Sequence, residues 1–164
     1  MKAEESFEWT GRKLCRAECS YYIPSRFDED YGLNSDALDR IKKAGAELVI
    51  TVDCGCLFVA EVAHAHEIGL EIIVTDHHEL KGELPDCVLI DPKQPGCGYP
   101  FKSLAGVGVA FKFAQAISAE LGLPKQTVTR NLDQKRFMQI FVNQKKKVQR
   151  IGKGFQLLQS GLRK

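Results

Sequence analysis

The chain has 164 residues, of which 44% are hydrophobic and 27% are charged; such a length and composition suit one globular domain with its own core. It contains no run of about 18 apolar residues, which excludes a membrane-spanning helix, and its polar, partly acidic start is unlike a secretory signal. The six cysteines are irregularly spaced, so we expect reduced thiols and a cytoplasmic location.

The net charge of +2 is unevenly distributed along the chain. Residues 1–120 carry 12 Lys and Arg against 20 Asp and Glu, whereas residues 121–164 carry 11 basic residues and one acid. A basic segment can attract nucleic acid, because neutralising phosphates releases counterions. It can equally be a solvated tail without a partner, and charge alone leaves both interpretations open.

The first predicted elements are a short strand and a helix. Residues 21–23 are predicted to form a strand that Pro24 ends. Asn34 or Ser35 is predicted to cap a helix whose apolar residues recur at helical spacing and which Gly45 closes.

A strand–helix–strand pattern follows. Residues 47–52 and 70–75 are apolar and rich in β-branched side chains, which is typical of buried parallel strands. A helix over 57–68 connects them, and a third strand is predicted at 87–90. This succession predicts an α/β fold, an open parallel sheet with helices on both faces.

The last third of the chain changes in character. A Pro- and Gly-rich loop over 92–101 leads to an apolar helix from Leu104 to about Leu121, and the sequence then becomes rich in Gln, Lys and Arg. The pattern divides the chain into a divergent N-terminal segment, a domain and a basic C-terminal segment of unknown structure: 1–16, 17–123 and 124–164.

Polar residues follow two of the predicted strands directly. Asp53 ends one strand, and Asp76, His77 and His78 end the next. Open parallel sheets bind ligands beyond the carboxyl ends of their strands, so these side chains are expected to gather there. Their oxygen and nitrogen donors favour Mn²⁺, with Mg²⁺, Zn²⁺ and Fe²⁺ less well suited. Two such ions about 4 Å apart would serve phosphate-ester hydrolysis.

Simpler interpretations exist for several of these residues. A single Asp at a strand end is more often a helix cap or turn residue than a ligand, and Asp91, before a proline, is interpreted as a turn former. His64 and His66 lie two apart on a predicted helix, so they point to different faces and are expected near the surface. Adjacent imidazoles after a strand-end Asp are harder to explain by packing, and a metal or phosphate role and a purely structural role both stay open.

Gly106 and Gly108 precede the last predicted helix and have two interpretations. They could form a phosphate cradle, although the full Gly-x-Gly-x-x-Gly pattern is absent because position 111 is Phe. They could equally allow tight helix entry or close backbone packing. Three lysines near this loop could meet phosphates: Lys93, Lys102 and Lys112.

Two motifs resemble those of the DHH family of metal-dependent phosphoesterases: Val52-Asp53-Cys54-Gly55 and, one βαβ unit later, Thr75-Asp76-His77-His78. Within that family, other stretches resemble the RecJ subfamily of exonucleases. These stretches are Tyr21-Tyr22-Ile23-Pro24-Ser25-Arg26, Tyr31-Gly32-Leu33-Asn34, Leu84-Pro85-Asp86, Asp91-Pro92-Lys93, and a longer one that starts with Tyr99-Pro100-Phe101-Lys102-Ser103-Leu104-Ala105-Gly106 and continues to Lys112. The resemblance covers residues from about 17 to about 121 of the 164.

The resemblance implies a Mn²⁺-dependent hydrolase that removes nucleotides from the 5′ end of single-stranded DNA during repair and recombination. Its partners would be single-stranded DNA and single-strand-binding or other repair proteins. By this resemblance Asp53 bridges two ions, His77 ligates one, His78 faces the scissile phosphate and Asp76 orients the histidines. The matching stretches also contain the expected substrate-binding residues: Arg26, Lys102, Gly106 and Gly108.

Two family motifs have no counterpart in this sequence. Residues 1–20 contain no Asp that could supply the first motif, Asp-x-Asp, and Asp133 is the only Asp after Asp91 and lies in an unrelated context. We therefore expect an incomplete domain with little or no exonuclease activity of its own. The alternative is a catalytically inactive fragment that binds single-stranded DNA or a partner protein. The RecJ-like stretches argue against a DHH hydrolase of short oligonucleotides, cyclic dinucleotides or pyrophosphate.

Overall fold

A computed structural model describes residues 19–22, 33–124 and 140–142, and these residues form a five-stranded sheet with three helices. The strands are β1 (Cys19–Tyr21), β2 (Leu48–Val52), β3 (Glu71–Thr75), β4 (Val88–Ile90) and β5 (Ile140–Val142). The helices are α1 (Ser35–Lys43), α2 (Val59–Glu67) and α3 (Gly106–Glu120). The predicted strands and helices of the βαβ region are confirmed, with small differences at their ends.

The strand order is β1-β5-β2-β3-β4. β2, β3 and β4 are parallel, as the sequence predicts. β5 lies antiparallel between β1 and β2 and pairs with both. Its residues belong to the basic C-terminal segment, for which the sequence predicted no strand.

Alternate residues of the central strands face two different layers of helix. Leu48, Ile50 and Ile73 pack on one face of the sheet with Val109 and Phe113 of α3. Helices α1 and α2 cover the other face. There the strand residues Val49, Ile72, Val74 and Leu89 pack against Leu38 and Ile41 of α1 and Val62 and Ala65 of α2. Burial on both faces explains why these strands are continuous apolar runs, and it confirms the predicted placement of helices on both faces.

The strand ends on which the candidate site depends are in register. Val52 of β2 pairs with Thr75 of β3, and Thr75 also pairs with Ile90 of β4. Because the three strands are parallel, the residues that follow them leave the same edge of the sheet side by side. This edge, the carboxyl edge, therefore receives Asp53, Asp76 and Asp91.

Other expectations from the sequence can be compared with the described residues. Asn34 caps α1, because its Oδ1 accepts the Ala37 N–H at 2.8 Å, and Gly45 follows the helix with φ 91°. Five of the cysteines lie in the described residues and are not part of a disulfide bond: Cys19, Cys54, Cys56, Cys87 and Cys97. Among the helices of this part of the chain, none has the length and apolar character needed to cross a membrane.

Candidate metal centre

Asp53 leaves β2 in an unusual backbone conformation. Its φ is 65°, in the left-handed region that non-glycine residues rarely adopt but that Asp tolerates better than most. Its N–H donates to the Thr75 carbonyl at 2.9 Å, which continues the pairing with β3 by one residue. The side chain is 52% exposed and stands at the carboxyl edge. Non-glycine residues in this region of φ/ψ space often occur at functional sites.

The turn after Asp53 explains the glycine of the Asp53-Cys54-Gly55 motif. The Thr51 hydroxyl donates to the Cys54 carbonyl at 2.6 Å and fixes the turn. Gly55 has φ 116°, and a Cβ there would lie 2.9 Å from Thr51 Oγ1 and 3.0 Å from Val74 Cγ1. Both the conformation and the lack of space therefore require glycine.

Asp76 is a buried carboxylate surrounded by hydrogen-bond donors. The Cys56 N–H donates to Oδ2 at 3.0 Å, and the His77 N–H donates to Oδ1 at 2.8 Å. The ring of His78 donates from Nδ1 to the same Oδ1 at 2.6 Å, since an ionised carboxylate only accepts. Only 1% of the Asp76 side chain is exposed.

These donors keep Asp76 ionised despite its burial. Burial is the largest single influence and by itself would raise the pKa of Asp76. Hydrogen bonds from the Cys56 N–H and thiol, the His78 ring and the His77 N–H together outweigh it and lower the pKa below its usual value. Asp76 is therefore a fixed anion that holds in place the loop formed by His77 and His78, the histidine loop.

The two strand ends meet through His77 and Asp53. His77 Nε2 lies 2.9 Å from Asp53 Oδ1, and the rings of His77 and His78 have centroids 4.6 Å apart. One donor atom from each of Asp53, His77 and His78 lies within 4.8 Å of the others. The structure thus brings together all four residues that the sequence placed at this edge.

The start of α3 packs directly against Asp53. A Cβ built on Gly106 would lie 2.8 Å from the Cβ of Asp53, so only glycine allows this approach. The N-terminus of a helix also favours a nearby negative charge. Of the two interpretations of Gly106, close backbone packing has direct support, and its role in substrate binding stays a prediction.

Replacing Gly106 with Ala is expected to weaken metal binding through Asp53. The new methyl group would lie closer to Asp53 than the roughly 3.5 Å at which carbon atoms make contact, so the carboxylate must move. We expect the affinity for Mn²⁺ to fall about tenfold or more. Mutating a residue that only supports a metal ligand already lowers metal affinity by this amount, and here the ligand itself must move. Isothermal titration calorimetry of Gly106→Ala with Mn²⁺ measures the change in affinity.

Gly108→Ala is the matched control for Gly106→Ala. There the added Cβ would meet the side chain of Leu104, with Cδ1 at 2.7 Å and Cγ at 2.8 Å, and its nearest neighbours do not include Asp53. The affinity of Gly108→Ala for Mn²⁺ should therefore equal that of the unmodified chain. Equal affinities for both variants and the unmodified chain would contradict the role of Gly106.

The other predicted residues are placed as follows. Lys102 Nζ donates to the carbonyls of Pro92 and Cys97, both at 2.7 Å, and so holds the loop before α3 together. His64 is half-buried and pairs with Asp39 of α1 at 2.9 Å, while His66 is exposed. Arg26 lies outside the described residues, and substrate binding by Arg26, Lys102 and Gly108 stays a prediction.

A second, fully buried group of polar side chains was not predicted. Donor atoms of Cys56, Asp76 and Asp91 lie within 4.8 Å of one another. Asp91 forms the expected turn, since its Oδ1 accepts the Lys93 N–H at 2.7 Å, but its Oδ2 has no partner among the described residues. Burial raises the pKa of Asp91, and burial with the neighbouring carboxylates raises the pKa of Cys56 to about 12. The sequence showed that Asp91 follows a predicted strand, as Asp53 and Asp76 do, but gave no sign that this group is buried.

Comparison with known proteins assigns this geometry to a family. The model of the family described as "DHH family, N-terminal domain" matches residues 5–135. The chain belongs to the DHH family. The resemblance drawn from the Asp-Cys-Gly and Asp-His-His motifs is confirmed.

The relatives of this DHH chain are single-strand-specific exonucleases. It is 56% identical over 106 residues to "Single-stranded-DNA-specific exonuclease RecJ" of Bacillus subtilis, covering 64% of this chain and 14% of that protein. It is 42% identical over 107 residues to the protein of the same name from Escherichia coli, covering 65% of this chain and 18% of that protein. The chain thus spans about a sixth of the length of these relatives.

A solved structure shares the fold. The "Crystal structure of exonuclease RecJ bound to manganese" aligns with 63% of this DHH chain and 26% of its own, with a TM-score of 0.57 and 35% sequence identity. The fold class predicted from the sequence is confirmed.

Proposed function

We propose that this chain carries part of the active site of a RecJ-type exonuclease, which hydrolyses single-stranded DNA from its 5′ end with Mn²⁺. The observation that carries the proposal is the 2.9 Å approach of His77 Nε2 to Asp53 Oδ1 at the carboxyl edge. The names of the relatives, single-stranded-DNA-specific exonucleases, support the substrate class. The solved structure named for its manganese supports the ion.

His77 Nε2 and Asp53 Oδ1 lie 2.9 Å apart, which is the length of a direct ion pair, and both side chains are partly exposed at the carboxyl edge, where a divalent ion could bind the two atoms together. A carboxylate oxygen and an imidazole nitrogen are also donors that suit Mn²⁺. The residues present therefore fit the ion.

The four residues have distinct roles in this proposal. Asp53 and His77 hold the ion, and His77 must present an Nε2 without a proton to do so. Asp76 is a positioning residue that fixes the His78 ring by the 2.6 Å bond to Nδ1. This leaves Nε2 on the far side of the ring, where it can donate to a phosphate oxygen when the ring is the imidazolium, because in the neutral ring the proton on Nδ1 is the only one. When bound, the metal supplies an activated water and stabilises developing charge on the phosphate.

A second candidate function is single-strand binding without catalysis. The sequence has no counterpart for the Asp-x-Asp motif or the last family Asp, and a two-metal site deprived of ligands binds its ions weakly. The basic segment 124–164 could still attract DNA. We further propose a DHH domain over residues 17–123, a cytoplasmic location, and contact with single-strand-binding or other repair proteins.

The experiment follows nucleotide release from a 5′-radiolabelled single-stranded oligonucleotide. The chain alone should release little or none in Mn²⁺, because the ligand set is incomplete. A chimera in which residues 17–121 replace the matching segment of the Bacillus subtilis relative should degrade the oligonucleotide only when Mn²⁺ is present.

His77→Ala in the same chimera is the control and should abolish degradation, whereas His66→Ala should not change it. A correctly folded chimera without activity would contradict the proposed function. Mn²⁺-dependent degradation by the chain alone, lost in His77→Ala, would instead show that its own ligands suffice.

A further inference from the structure

Lys93 lies on the turn that follows β4, next to the histidine loop. Thr75 of β3 and Ile90 of β4 are paired in parallel register, and the Asp76 N–H donates to the Ile90 carbonyl at 3.0 Å. Asp91 therefore follows β4 beside Asp76, and their carboxylate oxygens lie within 4.8 Å of each other. The chain then turns at residues 92–93, and the Lys93 side chain reaches the residue after His78, since its Nζ lies 2.8 Å from Glu79 Oε1.

The turn that carries Lys93 is fixed to the sheet. Its N–H donates to Asp91 Oδ1 at 2.7 Å, and Asp91 is fully buried. The neighbouring Gln94 donates from Nε2 to the Leu89 carbonyl at 2.9 Å. The backbone of Lys93 is therefore positioned by buried groups, although its side chain reaches the surface.

Glu79, the residue after His78, holds the Lys93 ammonium at the site. Lys93 Nζ lies 2.8 Å from Glu79 Oε1, with 25% of the Lys93 side chain and 73% of the Glu79 side chain exposed. An ion pair with so exposed a carboxylate stabilises a protein little. A phosphate oxygen can therefore replace the Glu79 carboxylate at small cost.

Lys93 differs in its contacts from Lys102 and Lys112, the two other lysines that the sequence predicted to meet phosphates. The ammonium of Lys102 donates to two backbone carbonyls and holds a loop. Lys112 is an exposed residue of α3, in its second turn. Lys93 alone of the three is paired with a residue adjacent to His78.

The carboxyl edge carries several carboxylates, and Lys93 places a positive charge among them. Asp53, Asp76, Asp91 and Glu79 all lie at this edge, and their carboxylates would repel the phosphodiester backbone of a DNA strand. We propose that Lys93 binds a backbone phosphate of single-stranded DNA beside His78, and that Glu79 holds its ammonium until the phosphate replaces it. This inference rests on the proposed function, which it extends by a substrate-binding residue.

The test measures binding of a 3′-fluorescein, 5′-phosphorylated oligothymidine to the whole chain by fluorescence anisotropy in Mn²⁺ at several salt concentrations. Lys93→Gln should weaken binding about threefold to tenfold, the effect of losing one phosphate contact, and lower the salt slope by about 0.7. Lys93→Arg should restore both values. Glu79→Gln should strengthen binding about twofold to fivefold, as the loss of a weak competing ion pair predicts.

Lys43→Gln is the matched control, since Lys43 is an exposed lysine at the C-terminal end of α1, which leads to the opposite edge of the sheet. The role of Lys93 would be overturned if Lys93→Gln bound the oligothymidine as tightly as Lys43→Gln does, while the wild-type chain binds both Mn²⁺ and DNA. That result would leave the proposed function standing. A wild-type chain that binds no single-stranded DNA would also overturn the role of Lys93, whereas the proposed function is contradicted by the inactive chimera described above.

Discussion

Replacing Asp53 with Asn or His77 with Ala is expected to lower the affinity for Mn²⁺ about 100-fold or more, since each change removes a ligand. Asn adopts the left-handed conformation of Asp53 as readily as Asp does. The His77 side chain is 30% exposed and lies at the edge of the fold. The free energy of unfolding without metal should therefore change little in either variant. Mn²⁺ affinity follows from the electron paramagnetic resonance signal of free Mn²⁺, and stability from urea unfolding.

His66→Ala is the control for both variants, because His66 is an exposed imidazole on α2. It should bind Mn²⁺ as the unmodified chain does and should retain the stabilisation that bound metal gives to a folded state. Wild-type Mn²⁺ affinity in Asp53→Asn would contradict the assignment of this carboxylate as a ligand. Equal losses in His66→Ala and His77→Ala would show that the metal binds elsewhere.

The parallel core of the fold could be predicted from the sequence because its strands are buried on both faces. Strand β2, and strand β3 after its first residue Glu71, are runs of apolar and β-branched residues, and each is followed by polar residues where the chain leaves the core. The parallel arrangement brings those ends together, so the meeting of Asp53 with His77 follows from two local patterns and one rule of sheet topology.

The position of β5 could not be predicted, because its partners β1 and β2 are distant in the sequence. Ile140, Phe141 and Val142 lie among Gln, Lys and Arg, and no alternating pattern marks a strand. Its place between β1 and β2 depends on backbone pairing with two strands from distant parts of the chain. Such non-local pairing leaves little local signal in a sequence.

The buried carboxylates were also beyond the reach of sequence patterns. A strand-end Asp before proline indicates a turn, and Asp91 does form one. Its complete burial beside Asp76 depends on the cover that the surrounding loops provide, which composition does not reveal. The contact of Gly106 with Asp53 is of the same kind, since it joins residues more than fifty positions apart.

Asp76→Asn is expected to lower the free energy of unfolding by about 3 kcal/mol, the cost of leaving charge-assisted donors without an acceptor in the interior. Asn keeps the shape of Asp but has only one acceptor oxygen. Its amide would face either the Cys56 N–H or the donors of His77 and His78. Urea unfolding with a chelator at neutral pH measures the loss without a contribution from bound metal.

The loss of stability in Asp76→Asn should depend on pH, whereas the loss caused by a simple packing defect would not. Because the pKa of Asp76 is lowered in the folded chain, its stabilisation is present above the unfolded pKa and is lost as the pH falls through the folded pKa. The difference between the unmodified chain and Asp76→Asn should therefore shrink in acid. A difference that stays constant down to the acid limit would contradict the role of the Asp76 charge.

Asp91→Asn is the matched comparison, since Asp91 is an equally buried neighbour with the opposite shift. Its pKa is raised, chiefly by burial, so its ionised form costs stability above the folded pKa and that cost disappears as the pH falls. Asn can keep the bond from the Lys93 N–H through its carbonyl and place its amide where Oδ2 has no partner. Asp91→Asn should thus be neutral or stabilising at neutral pH, and any gain should vanish in acid. Opposite changes in the free energy of unfolding at neutral pH would show that the two buried carboxylates differ. The charge of Asp76 stabilises the fold by holding the histidine loop, whereas the charge of Asp91 is disfavoured by burial.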